Sequence, residues 1–246
     1  MPVNISLQTL SSEAGRVLKR AGKERAGDDL AWAWFNLGAA DMGRTIVQRL
    51  SAGKMDPQLE AIFGQPWKIL EVGAMSLAFE DVMTALDLCA DAVFLICGEP
   101  THPKGGAPGQ FYDLGNLKKR QGQLDAPAAI RGWIGQLLQD ADKPDGDMTV
   151  LKDCRDALAH RQVRQHPMAT FTSGVPTGMA LSEITTLHGQ GRVQGRGSIG
   201  ELIPRLVGFG EAQLESLCKA ILTPSSTSLV GPRQVVRAST RAPLGE

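Results

Sequence analysis

The sequence predicts an all-α helical bundle with a small β-rich insertion before the last helix, and three observations predict it. Apolar residues recur at three- and four-residue steps through most of the chain. One stretch, residues 66–97, is apolar nearly all round, as the central helix of a bundle must be. Between residues 167 and 197 the helical period gives way to Thr, Val and Met alternating among glycines, a pattern that suits one or two hairpins.

The elements follow in order. An amphipathic helix is expected over residues 7–23. A longer one follows Asp28-Asp29, two acids suited to a helix N-terminus, and runs to Leu50 with Leu30, Trp34, Leu37, Ile46, Val47 and Leu50 on its core side. Residues 55–64 add a short helix. Pro66 then occupies the first turn of the central helix, which Gly98 and Pro100 stop. In the second half of that helix, Asp87 and Asp91 are nearly the only polar side chains. Residues 101–109 are rich in proline and glycine and form a loop leading to a shorter polar segment. Ile130, Trp133, Ile134, Leu137 and Leu138 make a helical stripe over 127–140, and Lys143-Pro144-Asp145-Gly146 turns the chain into a helix covering 151–163. The last helix, 199–222, buries Leu202, Leu206, Leu214, Leu217 and Ile221 and accommodates Pro204 in its first turns. One domain is therefore expected over 1–222, followed by a disordered tail at 223–246.

Composition narrows the function. The chain has 246 residues, 26 Lys+Arg against 26 Asp+Glu, and 42% hydrophobic residues, as in ordinary soluble globular proteins. Cys89, Cys97, Cys154 and Cys218 are widely spaced, without any C-x-x-C, and read as reduced core residues. The first 22 residues contain no uninterrupted apolar stretch, and the longest apolar patch, 90–97, includes Asp91, so a cytoplasmic protein without a membrane partner is expected. Zero net charge removes the simplest argument for duplex binding. The charge is unevenly placed, however: six acids face Lys68 alone between Pro66 and Pro100, whereas Arg155 to Arg205 carries six arginines against three acids. An anion would favour the second region. His102 and His188 have no Cys, Asp or Glu at ligand spacing, so neither a metal nor another cofactor is expected. Neither Ser182 nor Ser216 sits in a G-x-S-x-G elbow.

The combination that carries chemistry is Arg155, Asp156 and His160. A histidine with a pKa near ~6.5 can take a proton from a 2′-hydroxyl or give one to a leaving oxygen. An arginine supplies a permanent, forked donor for a phosphate. The segment Arg155-Asp156-Ala157-Leu158-Ala159-His160 resembles the R-x(4–6)-H motif of HEPN domains, and the setting, two long helices before it and one after, extends the resemblance in outline over residues 30–222. HEPN domains are all-helical bundles, commonly dimeric, and many are metal-independent RNases of toxin, phage-defence and CRISPR-associated systems. The resemblance implies a metal-independent endoribonuclease that cleaves RNA through 2′-OH attack, with Arg155, Asp156 and His160 catalytic. It implies an RNA substrate, a homodimer and a regulatory protein partner. Arg161, Arg164 and His166 are then candidate substrate contacts, with a plain turn residue as the alternative for His166, and Glu80 or Asp81 on the central helix either pairs with Arg155, as acidic partners do in some relatives, or has a capping or surface role. Two departures stand out: Asp156 occupies a position that is often Asn, and His160-Arg161-Gln162 does not match the H-x-Y triplet of some variants.

Residues five apart on a regular helix are displaced by about 140°, so Arg155 borders the stripe of Leu151, Cys154 and Leu158 while His160 points toward solvent or a partner. Asp156, four residues before His160, shares its side and could orient the imidazole. The plain alternative is that Lys152, Asp153, Arg155, Asp156, His160 and Arg161 form the solvated face of an amphipathic helix. A non-catalytic HEPN-like protein using this surface for dimerisation or partner binding is the corresponding functional alternative. The glycine-rich run from Gly189 to Gly197, with Arg192 and Arg196, is either a bland loop or a phosphate-contacting one.

Overall fold

A computed structural model of the chain describes residues 5–53, 66–98, 111–159, 168–172, 175–180, 183–188 and 192–223. Among these, seven α-helices and two hairpins build an all-α bundle with a β-rich insertion. The helices are α1 (Ile5–Arg20), α2 (Glu24–Ser51), α3 (Pro66–Cys97), α4 (Leu114–Arg120), α5 (Ala128–Ala141), α6 (Asp147–Ala159) and α7 (Ile199–Leu222). The insertion between α6 and α7 holds β1 (Met168–Thr172), β2 (Val175–Ala180), β3 (Glu183–His188) and β4 (Arg192–Ser198).

The central helix is α3, as its apolar circumference predicts. Ala74, Ala78, Phe79, Val82, Ala90, Val93 and Phe94 are all fully buried, and Gly98, with φ 84°, ends the helix in the left-handed region that favours glycine. It packs most extensively against α2, and α7 lies across α1, α2 and α3. The α2–α3 approach is close because Gly43 has no side chain: a Cβ there would stand 2.7 Å from the carbonyl oxygen of Ala74. Burying one large apolar side chain contributes roughly 1.5–3 kcal/mol, so this layer dominates the stability of the bundle.

Several boundaries differ from the sequence expectation. Helix α2 begins at Glu24, one turn before Asp28-Asp29, so Asp29 lies inside the helix and is buried rather than capping it. Helix α6 begins at Asp147, four residues earlier than expected. Its start is fixed from the preceding helix, where Asp140 Oδ2 accepts the Met148 N–H at 2.8 Å and the Ala141 carbonyl accepts the Thr149 hydroxyl. Helix α7 has the expected bounds, with the Ser198 hydroxyl accepting the Gly200 N–H at its N-cap. The short helix expected over 55–64, the loop over 101–109 and the tail after Thr223 lie outside the described residues.

In the insertion, β1 pairs antiparallel with β2, and β3 with β4. The second hairpin runs in register from Glu183 opposite Ser198 to His188 opposite Arg192, with a bulge between Ile184 and Thr185. It docks on the bundle through buried Ile184, β3 lying on α6 and β4 on α7. The four cysteines are free; Cys89, Cys154 and Cys218 are buried and Cys97 is partly so. Among the described residues no helix is long and apolar enough to cross a membrane.

Candidate functional site

Three elements meet α6 around its functional face. Two carboxylates one turn apart on α3 capture the chain as it enters α4: Asp91 Oδ1 accepts the Tyr112 N–H at 2.8 Å, and Asp87 Oδ1 accepts the Leu114 N–H at 3.0 Å. The Tyr112 ring stacks on Phe94, with centroids 4.4 Å apart, and the Arg120 guanidinium lies over the Tyr112 ring, 5.9 Å from its centroid. Asp113 caps α4 by accepting the Asn116 N–H. The carboxylates of an otherwise apolar half-helix thus hold a connecting segment in place.

A cavity of about 600 Å³ opens where α3, α4, α5 and α6 converge. Its floor is apolar, formed by Met83, Leu137, Leu138 and Met148, all buried. Asp87, Lys152, Arg155 and Asp156 bring charge to it, with Lys118 and Asp113 on the α4 side. Arg155 Nη2 donates to Asp156 Oδ1 at 3.1 Å, and the two side chains are 40% and 43% exposed, so the pair sits at the mouth rather than in the core. Burial pushes the Asp87 carboxyl above its ordinary range, the Leu114 amide pulls it back, Asp113 adds to the rise, and Arg155 opposes it.

The predicted site residues fare unequally. Arg155 and Asp156 come together on α6, while His160 lies just past the described part of that helix, as do Arg161, Arg164 and His166. The α3 acid that shares the cavity lining with Arg155 is Asp87; neither Glu80 nor Asp81 is among the lining residues. Glu80 is exposed, and Asp81, half-buried, is pushed up by burial and by Glu80, its own neighbour. Asp87 was legible only as one of two acids in an apolar half-helix. Lys152, a member of the solvated face in the plain alternative, is exposed and lines the cavity one turn before Asp156.

The glycine-rich run also needs correction. Residues 192–198 form β4 rather than a loop, and the Arg196 side chain, 2% exposed, is consumed by the bundle. It pairs with Asp153 of α6, reaches Asp145 at 3.5 Å, and donates to the Pro144 carbonyl at 3.0 Å. Arg196 therefore pins the hairpin to the α5–α6 turn instead of meeting a phosphate. Beside it, Arg205 of α7 holds Asp147 and the Asp145 carbonyl.

A second feature lies on α2. Ala31, Trp32, Phe35 and Met42 are exposed along the helix, with Gly38 and Ala39 half-buried beside them, and no charged residue interrupts the run from Leu30 to Ala40. Trp32 and Phe35 are 59% and 60% exposed and meet edge to face. Among the described residues no group of three His, Cys, Asp or Glu is placed to hold a metal ion. Compared with protein-family models, with curated proteins and with solved structures, the chain matches none.

Proposed function

We propose that the chain is a metal-independent endoribonuclease of the HEPN type, acting within a toxin or phage-defence system. The observation that supports this reading is the placement of Arg155: half-exposed, on the last turns of α6, at the mouth of the cavity and one turn from Lys152. In the proposed reaction the 2′-oxygen attacks phosphorus as His160 takes its proton. The P–O2′ bond forms, the P–O5′ bond breaks, and a second His160, from a partner copy, protonates the departing 5′-oxygen. Products carry a 2′,3′-cyclic phosphate and a 5′-hydroxyl. Arg155 stabilises the charge on the non-bridging oxygens, and Asp156, which already holds its Nη2, fixes the guanidinium.

Cleavage of a mixed RNA pool in EDTA tests the proposal, with folding monitored by circular dichroism. His160→Ala should lose about 10²-fold or more of the rate, and Arg155→Ala about 10²–10³-fold. Equal cleavage by folded His160→Ala and the parent sinks the assignment.

One observation favours a second reading, a non-catalytic protein that binds a protein partner: the exposed Trp32, Phe35 and Met42 stripe on α2. On that reading Trp32→Ser with Phe35→Ser changes the sedimentation of the complex while leaving the melting temperature in place.

A further inference from the structure

We infer that the cavity between α3, α4, α5 and α6 binds a nucleotide, its base against the Met83 and Met148 floor, an amino group of that base on Asp87, and its phosphate at Lys152 and Arg155. The inference rests on the ribonuclease reading only for the phosphate role of Arg155, and it adds what that reading lacks, a base-selecting subsite.

Size and lining come first. A volume of about 600 Å³ lies within the roughly 300–1,000 Å³ of small-molecule sites, and the lining joins an apolar floor to a strongly charged rim. Two methionines and two leucines make a floor that a flat ring can cover, and thioethers contact aromatic rings favourably.

The polar groups then define the ligand. Four acids surround the cavity, but three are committed: Asp113 caps α4, Asp153 holds Arg196, and Asp156 holds Arg155. Asp87, part of the cavity lining, uses Oδ1 for the Leu114 N–H, which leaves Oδ2 as a further acceptor. The matching group is a donor on an otherwise flat, apolar body. At the mouth, Lys152 has no ion-pair partner among the described residues, and Arg155 spends only Nη2 on Asp156, so the rest of its fork is available. The matching group there is an anion. A donor-bearing ring at one end and a phosphate at the other describe a nucleotide. Adenine, cytosine and guanine carry an exocyclic amine, whereas the ring N–H of uracil is flanked by two carbonyl oxygens that repel a carboxylate.

Calorimetric titration of the whole chain with AMP, CMP, GMP and UMP in EDTA tests the inference. The three amine-bearing nucleotides should bind about tenfold tighter than UMP. Asp87→Asn keeps the acceptor that Leu114 uses and turns the free oxygen into a donor, so UMP should draw level with AMP or pass it. Lys152→Ala, on the exposed rim, should weaken all four alike. Absence of binding at millimolar nucleotide, or equal affinities unchanged by Asp87→Asn in a protein with native circular dichroism, overturns the inference. An adenosine trinucleotide binding tighter than AMP assigns the subsite to a base of an RNA chain; the reverse assigns it to a free nucleotide. Nucleotide binding without RNA cleavage would leave the subsite standing and remove the ribonuclease reading, while cleavage without nucleotide binding does the opposite.

Discussion

The carboxylate of Asp91, wholly buried in α3, accepts the backbone N–H of Tyr112 across 21 residues of sequence. It also receives Arg25 Nη2 at 2.6 Å, so a single side chain ties α2, α3 and the approach to α4 together. One turn earlier on α3, Asp87 repeats the arrangement with Leu114, which places the wall of the cavity.

Removing that acceptor should be expensive. Asp91→Ala leaves the Tyr112 N–H buried without a partner, at a cost of about 1–3 kcal/mol, whereas Asp91→Asn retains an oxygen for it. Both variants lose the Arg25 ion pair, so the difference between them in urea unfolding at pH 7 isolates the amide bond. Equal midpoints for the two would contradict the role given to Tyr112.

Asp29 faces Asp91 from α2, with Arg25 and Asp28 on its own helix, and one of its buried oxygens lacks a hydrogen bond. Burial, reinforced by Asp91, raises its carboxyl to about 7 from the ordinary 3.8. The folded chain therefore holds a proton that the unfolded chain has released between those values. Its contribution is fully present below about pH 4 and is lost as pH rises through about 7. Asp29→Asn should raise the melting temperature at pH 8 and flatten the fall between about pH 4 and 7. A parallel pH profile for the variant and the parent would remove Asp29 as the cause.

Two glycines of α2 predict opposite outcomes for one substitution. At Gly43 an added Cβ would press on the Ala74 backbone at 2.7 Å, and Gly43→Ala should destabilise by about 1–3 kcal/mol through overpacking. At Gly38 nothing lies within 4 Å, and Gly38→Ala should stabilise by up to about 1 kcal/mol through helix propensity. Chemical denaturation of both reports whether the α2–α3 approach is as close as described.

Arg196 supplies a third kind of anchor. Arg196→Ala removes the buried partner of Asp153 and the donor to the Pro144 carbonyl and should cost about 3 kcal/mol, with faster proteolysis within 183–198. Arg196→Lys should recover little, because one ammonium cannot reproduce the fork that reaches α6 and the turn together. Full recovery by lysine would argue that charge alone holds the hairpin.

Element type was largely legible in the sequence, since a stripe such as Ile130, Trp133, Ile134, Leu137 and Leu138 has one helical solution. Boundaries were legible where a local cap sets them, as Ser198 does for α7, and obscure where a distant residue does, as Asp140 does for α6. The same distinction governs the site. That Arg155 borders the buried stripe follows from the helical wheel. Which acid of α3 shares a cavity with it depends on how far along α3 helix α6 is docked, a tertiary quantity that brings in Asp87. A sharper signal was present in the requirement that buried polar groups be paired: two acids four apart in an apolar half-helix need partners, and the backbone of Tyr112 and Leu114 supplies them.

The free cysteines give the fold an internal clock. Cys89, Cys154 and Cys218 sit one each in α3, α6 and α7, and burial pushes all three thiols up, the latter two to about 12. A thiolate is the species that alkylates, so the native chain should react slowly with iodoacetamide at neutral pH, at a rate set by helix opening. Mass-resolved labelling of the three sites then times each helix separately. Should Cys154 label before Cys89 and Cys218, the helix bearing Arg155 opens while the central layer stays shut.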